Sequence, residues 1–158
     1  MSCDVRFKEE AAALGYSFEG ELKIGGNYVP LVRDGRSIYV SGQIPRVGNE
    51  IVVTGAAGSH IDLFRAQLAA KICVMRALAL LQRSLGSLEH VKAIPSISVF
   101  VQSAQDFTQQ SEVADGASEV LFKILGPAGA HTRTSVGVFQ LPKNATVELS
   151  MVATADDR

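Results

Sequence analysis

The chain has 158 residues, of which 47% are hydrophobic and 20% are charged, an ordinary composition for one globular domain with a sizeable core. Its 15 basic and 16 acidic side chains leave a formal net charge of −1, and lysine and arginine form no dense cluster along the sequence. These numbers disfavour nucleic acid as the main partner, and we expect a single domain over residues 1–158.

Cysteine usage and the absence of targeting signals predict a cytoplasmic protein. Cys3 and Cys73 form no CxxC pair, and Cys73 lies in an apolar helical pattern that is typical of a buried, unreactive thiol. The first residues lack the apolar core of a signal peptide, and no apolar run is long enough to span a membrane. We therefore expect no membrane partner.

The first part of the chain predicts a short helix followed by strands. Good helix formers over residues 7–15 end at Gly15, a usual place for a left-handed cap. The runs "GELKI", "YVPLVR" and "SIYVSGQ" are typical of strands, and Asp34-Gly35 between the last two predicts a hairpin. The glycine-rich segment 44–59 contains one further short strand, "IVV".

Apolar residues at helical spacing then predict a long helix ending near residue 85. Ser59 is its expected N-cap, Asp62 an acidic residue of its first turn and Gly86 its C-terminal stop. Alternation in "SISVFVQS", residues 96–103, predicts a strand in which Pro95 is tolerated at the first position.

A second helix over about 110–125 and two final strands, "TRTSVGVFQ" and "TVELSMVAT", complete the chain, with "LPKNA" joining the strands. This order predicts an α+β fold, a mixed β-sheet with two helices packed on one face. If the other face carries aliphatic residues such as Val99 or Leu149, one small chain leaves them exposed, and we then expect burial by self-association.

Arg133 opens a strand that is otherwise half apolar, and its own face carries small and polar residues. Arginines at strand ends are most often solvated or paired with a carboxylate, but an arginine lining a cleft binds a ligand carboxylate with two parallel hydrogen bonds. Glu148 lies on the polar face of the last strand, where a glutamate can orient water or move a proton. A simple hairpin about "LPKNA" sets Arg133 opposite residue 152, so the pairing of Arg133 with Glu148 stays open.

Other residues carry weaker signals. His60, His90 and His131 lie in separate segments without metal-binding spacing, so we expect solvated histidines and no metal site. Ser41 in "VSGQIP" lacks a nucleophile-elbow motif, and Tyr28 after "GGN" is typical of an ordinary strand aromatic.

Taken together, four segments of the chain resemble the Rid family of reactive intermediate deaminases, also called the YjgF or endoribonuclease L-PSP-like family. The segments are "GGNY", "YVSGQIP", "VFVQSAQDF" and "TRTSVGVFQLPKNATVELSMVAT", and the resemblance covers residues 20–155. The most specific part is the pattern R-[ST]-x-V-x-V-x-x-LP followed by VE. This chain carries the pattern as Arg133, Thr134, Val136, Val138, Leu141, Pro142, Val147 and Glu148.

The resemblance implies a chorismate-mutase-like subunit in a homotrimeric barrel with ligand clefts between subunits. It also implies hydrolysis of reactive enamines and imines of the 2-aminoacrylate type to a 2-keto acid and ammonia, without a cofactor. Arg133 then clamps the substrate carboxylate, Glu148 positions water, and Tyr28 and Ser41 occupy the family's tyrosine and serine positions. Tyr28, or a water held by Glu148, is the expected proton donor.

The chain also departs from the family pattern. Asp115 stands where the founding group has asparagine and is expected to repel an acidic ligand, and Ser135 replaces the family cysteine. The loop before Arg133 is longer, and residues 1–19 are an N-terminal addition.

Two functions therefore stay open: an enamine or imine deaminase, and a non-catalytic trimeric module that binds or senses a small carboxylate. A ribonuclease is disfavoured by the near-neutral charge.

Overall fold

The computed structural model describes residues 1–157, and their helices and strands form one α+β unit, as the sequence predicts. The helices are α1 (Cys3–Leu14), α2 (Leu63–Leu85) and α3 (Gln110–Leu125). The strands are β1 (Leu31–Asp34), β2 (Ser37–Gln43), β3 (Arg46–Val47), β4 (Glu50–Ile51), β5 (Val91–Gln102), β6 (Thr132–Val138) and β7 (Val147–Ala155). Short 3-10 turns lie at Leu88–His90, Gly126–Gly129 and Pro142–Asn144.

Five strands form a mixed sheet in the order β1-β2-β7-β5-β6. Neighbouring strands in this sheet run antiparallel, except β5 and β6, which run parallel and are joined by α3. A parallel pair needs such a crossover because the chain must return to the same end of the sheet. β3 and β4 form a separate two-stranded ribbon.

The simple hairpin considered for the last two strands does not form. β7 pairs with β2 and β5, so β5 lies between β6 and β7. Arg133 is opposite Ile97, which is opposite Met151, whereas Glu148 is opposite Phe100. The connection from β6 to β7 is long enough to pass over one strand, because neighbouring strands are only about 4.8 Å apart.

One face of the sheet packs against the helices and forms the core. The residues of β5 and β7 on this face include Ile97, Val99, Val101, Val147 and Leu149, each at most 1% exposed. Val99 and Leu149 therefore pack against the helices. The suggestion that they lie on the other face of the sheet, here called the open face, is wrong. The open face instead carries the half-exposed Val32, Tyr39 and Val136 with Phe100, so the expected self-association now depends on these residues.

The helices α1 and α2 begin and end at residues that cap them. The N-cap of α2 is Asp62, whose carboxylate accepts a hydrogen bond from the Arg65 amide at 2.8 Å, so the expected cap at Ser59 is wrong. Gly86 ends α2 with a φ of 85°, as predicted. α1 begins four residues earlier than predicted, after the N-cap Ser2, and ends at Gly15. Among residues 1–157, no helix is long and apolar enough to cross a membrane.

Three predicted strands need correction. "GELKI" forms no strand, and the strand expected at "IVV" is reduced to Glu50–Ile51. β5 starts at Val91, so Pro95 lies inside it, where the register with β7 shifts between Ala93 and Ser96. A bulge accommodates proline because it removes the need for a ladder hydrogen bond at that residue.

Candidate functional site

A cavity of about 340 Å³ lies where the end of β2, the start of β7 and the loop before β1 meet. It brings together two of the predicted site residues, Tyr28 and Glu148. The rest of its lining is Lys23, Ile24, Gly25, Gly42, Gln43, Ile44, Arg46, Arg76, Pro142 and Lys143.

Glu148 is the only carboxylate that lines this cavity. No hydrogen bond or ion pair joins it to another residue within 1–157, and burial raises the pKa of its carboxyl group. Gly42 leaves room for it, because a Cβ on residue 42 would lie 2.8 Å from Oε2 of Glu148. A carboxyl group of this kind can exchange a proton with a ligand closer to neutral pH than an exposed glutamate can.

Ser41 supports the loop that carries Tyr28. Its hydroxyl donates a hydrogen bond to the Val29 carbonyl at 2.8 Å, and its amide donates to the Pro30 carbonyl at 2.9 Å. The side chain of Tyr28 is half exposed at the cavity, in a bend and not in a strand as expected. Ser41 thus holds the tyrosine loop beside Glu148, and it does not line the cavity itself.

Arg133 lies on the helix face of β6, where α3 covers it. Nη1 donates hydrogen bonds to Asp115 and to the Ser118 hydroxyl, each at 2.9 Å. Nη2 donates to the hydroxyl and the carbonyl of Ser111, at 2.9 and 3.2 Å. The Asp115 side chain is 62% exposed, so it can move away while the arginine stays held by the two serines.

His131 completes this cluster and was missed by the sequence reasoning. Its Nδ1 lies 2.7 Å from the Gly129 carbonyl, which can only accept, so Nδ1 carries the proton in the neutral ring. Nε2 then accepts from the Ser118 hydroxyl at 2.8 Å. The expectation of solvated histidines is therefore wrong for His131, and also for His90, which pairs with Asp156 at 3.1 Å. The spacing of Ser111, Asp115 and Ser118 along one helix face was the signal available in the sequence.

Ser135 lies on the same face as Arg133, two residues further along β6. Its hydroxyl oxygen is sealed from solvent and has no hydrogen-bond partner among the described residues. It opposes Val99 of β5, beneath α3.

One chain does not bring all the predicted site residues together. Arg133, Asp115 and Ser135 lie on the helix face at the β6 edge of the sheet, while Glu148 and Tyr28 lie at the cavity beside β7. β5 separates β6 from β7, and Glu148 alternates with the buried Val147 and Leu149, so it points away from the helices. The chain therefore carries two half-sites, one around Arg133 and one around Glu148 and Tyr28. In residues 1–157, no group of three or more His, Cys, Asp or Glu side chains is arranged to hold a metal ion.

Comparison with known proteins gives a consistent family. The model of the family described as "YjgF/chorismate_mutase-like, putative endoribonuclease" matches residues 9–154. Protein TCP17 of Trypanosoma cruzi is 40% identical over 137 residues, which cover 86% of each chain.

Solved structures agree. Atu1372 from Agrobacterium tumefaciens, a protein of unknown function, is 35% identical with a TM-score of 0.85, over 98% of this chain and 92% of that one. TdcF from Escherichia coli, solved with bound serine, shares the fold at 24% identity and a TM-score of 0.63, over 84% and 91% of the two chains.

Proposed function

Because the chain belongs to the YjgF/chorismate mutase-like family, we propose that it is a hydrolytic deaminase of reactive enamines and imines. Its substrates would be compounds of the 2-aminoacrylate type, and its products a 2-keto acid and ammonia. The observation that carries the proposal is the cavity in which Tyr28 lies with Glu148, whose pKa is raised by burial. The proposed location is the cytoplasm.

The reaction requires a proton donor, a positioned water molecule and a group that binds the substrate carboxylate. The enamine carbon takes a proton from Tyr28 or from a water held by Glu148, which gives the iminium ion. Water then adds to the iminium carbon as Glu148 accepts its proton. Glu148 passes this proton to the nitrogen of the carbinolamine, which leaves as ammonia, and the hydroxyl proton returns to the group that protonated the carbon, so the keto acid forms. An imine carbon is already electrophilic, so holding these groups in register can supply a modest acceleration without a cofactor.

The substrate carboxylate is assigned to Arg133. Since Arg133 and Glu148 lie in separate half-sites of one chain, the proposal requires a neighbouring subunit to complete each cleft. A homotrimer with its sheets facing inward would cover Val32, Tyr39, Phe100 and Val136 of the open face. It would also bring the edge strand β6 of one subunit toward the cavity of the next. TdcF has serine bound, and serine carries the same α-carboxylate as the proposed substrates.

The proposal is tested by following the decay of 2-imino acids that an amino-acid oxidase generates from several amino acids, with semicarbazide as the trap. We expect the wild-type chain to shorten the lifetime of the imine, and Arg133→Ala and Glu148→Gln to abolish the effect. Glu50→Gln, in the exposed ribbon strand β4, is the matched control and should behave as wild type. No acceleration with any of the imines would reject the deaminase.

A carboxylate-binding or carboxylate-sensing module is the second candidate, and one observation favours it. The four hydrogen bonds that the Arg133 side chain donates go to α3 and none joins it to Glu148, so Arg133 can hold a carboxylate without the groups proposed for hydrolysis. Saturable binding of a 2-keto acid that depends on Arg133, together with no imine hydrolysis, would establish this function.

A further inference from the structure

Arg46 is a buried arginine without a partner. The residue is 9% exposed, yet no hydrogen bond or ion pair joins its guanidinium group to any residue within 1–157. Its backbone is used, since the Arg46 carbonyl accepts a hydrogen bond from Nη1 of Arg76 at 2.8 Å. Its guanidinium nitrogens are not sealed, since none of them is among the buried unpartnered side-chain atoms of residues 1–157. They are open to the cavities that the residue lines, where an anion can accept their hydrogen bonds.

The space that Arg46 faces is the cavity of Glu148 and Tyr28, which Arg46 lines from the first position of β3, three residues after the end of β2. A second cavity of about 460 Å³, beside the loop 17–23, is also lined by Arg46. Lys23 and Arg76 line both cavities as well. One guanidinium therefore stands between two spaces that are large enough for a small metabolite.

The wall around Arg46 is strongly basic for a chain whose formal net charge is −1. Four cations, Lys23, Arg46, Arg76 and Lys143, line the cavity that contains Glu148 as its one carboxylate. Glu148 forms no ion pair with any of them within residues 1–157, and burial raises the pKa of its carboxyl group. Burial, together with repulsion from Arg46 and Arg83, lowers the pKa of the Arg76 guanidinium group.

Arg76 and Arg46 have different roles in this wall. Arg76 donates to the Lys23 and Arg46 carbonyls, each at 2.8 Å, and to the Gln43 side chain at 3.1 Å. These bonds give Arg76 a structural role, since they hold the loop 23–25 and β3 against α2. Arg46 keeps its donors free, and Nη2 lies 4.0 Å from where a Cβ on Gly25 would stand.

We propose that Arg46 binds a second anionic group of the ligand, so that this protein prefers dicarboxylates over monocarboxylates. The proposal rests on the proposed function, in which Arg133 of the neighbouring subunit holds the α-carboxylate and the reacting carbon lies at Glu148. The substrates are then imines of acidic amino acids, whose side chains end in a carboxylate. The planar guanidinium matches a carboxylate with two parallel hydrogen bonds.

Calorimetric titration of the full chain with 2-oxoglutarate and 2-oxopentanoate tests the inference, because these keto acids have the same carbon chain and differ in the distal carboxylate. We expect 2-oxoglutarate to bind at least about tenfold more tightly, as charge-assisted hydrogen bonds predict. Arg46→Gln should remove this difference and leave 2-oxopentanoate unaffected. Arg33→Gln, which changes an exposed arginine of β1, is the matched control and should keep the difference.

Equal affinity of the wild type for the two keto acids would overturn the inference, as would an unchanged preference in Arg46→Gln. Binding of a short single-stranded RNA through Arg46, without selectivity for the dicarboxylate, would overturn it as well. Thermal unfolding of Arg46→Gln should match the wild type, since the side chain has no protein partner to lose. Where Arg46→Gln unfolds early, Arg46→Lys serves instead and should lower the preference, because lysine offers no planar fork.

The imine assay separates the two proposals. Dicarboxylate selectivity in binding without any hydrolysis would reject the deaminase and keep the Arg46 site. Hydrolysis that is equally fast for the imines of glutamate and norvaline would keep the deaminase and reject the Arg46 site.

Discussion

At the scale of single residues, α3 orients the Arg133 side chain before any ligand binds. Ser111, Ser118 and Asp115 accept the four hydrogen bonds that the Arg133 side chain donates, and Asp115 alone carries a charge that competes with a ligand carboxylate. A ligand must therefore displace Asp115, which its exposure allows, while the two serines keep the guanidinium in place.

Asp115→Asn is accordingly expected to tighten the binding of a small 2-keto acid by roughly threefold to thirtyfold, because it removes an exposed competing charge. Calorimetric titration with 2-oxobutyrate measures the change, and Glu119→Gln on the same helix is the control. Weaker binding by Asp115→Asn would show instead that the carboxylate is needed to orient Arg133.

Glu148 should reveal its burial in the pH dependence of stability. Burial raises its pKa in the folded chain above the ordinary value of 4.5, so the protonated form is the one that the fold favours. The stability it contributes is full below that value and is lost as the pH rises through the raised pKa. The free energy of unfolding of the wild type, relative to Glu148→Gln, should therefore decline as the pH rises from about 4 to 7.

Urea unfolding of both proteins across this range measures the difference, and Glu50→Gln should give none. If the wild type instead gains stability over Glu148→Gln with rising pH, Glu148 is stabilised as an anion by the basic wall.

Residue-level prediction from the sequence succeeded where one strand or one motif carries the signal. Alternation along β6 assigned Arg133 and Ser135 to one face correctly. The basic wall could not be found in this way, because Lys23, Arg76 and Lys143 are separated by many residues and meet only through the fold. Counting charges along the sequence detects clusters of neighbouring residues, but it cannot detect cations that only the fold brings together.

At the scale of elements, α2 and α3 approach each other closely at Gly116. A Cβ on residue 116 would lie 2.6 Å from the Gln67 carbonyl oxygen, a backbone atom of α2 that cannot turn aside. Gly116→Ala should therefore lower the free energy of unfolding by about 1 to 3 kcal/mol, even though alanine favours helix.

Chemical denaturation measures this loss, and Gly20→Ala is the control because nothing lies within 4 Å of its added Cβ. Unchanged or increased stability of Gly116→Ala would mean that the two helices separate at little cost.

Element prediction was most secure for α2 and α3, whose long apolar repeats have one interpretation. The start of α2 was misplaced by three residues because Ser59 and Asp62 are both good N-caps, and only the backbone decides between them. The β6–β7 pairing failed for another reason. Consecutive strands most often pair with each other, but the connection between β6 and β7 is long enough to pass over β5, which lies between them with alternate residues buried.

At the scale of the whole molecule, the two half-sites give a test of assembly that needs no knowledge of the natural substrate. In the proposed trimer, each cleft takes Arg133 from one subunit and Glu148 from the next. Arg133→Ala and Glu148→Gln should therefore be inactive alone, yet a trimer that contains both variants has one cleft in which both residues are intact.

We expect an equal mixture of the two variants, unfolded together and refolded, to regain about one quarter of the wild-type imine hydrolysis, the share of intact clefts under random assembly. The same mixture prepared without unfolding should stay inactive, which controls for contamination by wild type. Sedimentation should give three times the 16.8 kDa of one chain, and Val136→Asp on the open face should reduce that mass and abolish the recovery. A refolded mixture that is trimeric and inactive would mean that Arg133 and Glu148 do not act in one cleft.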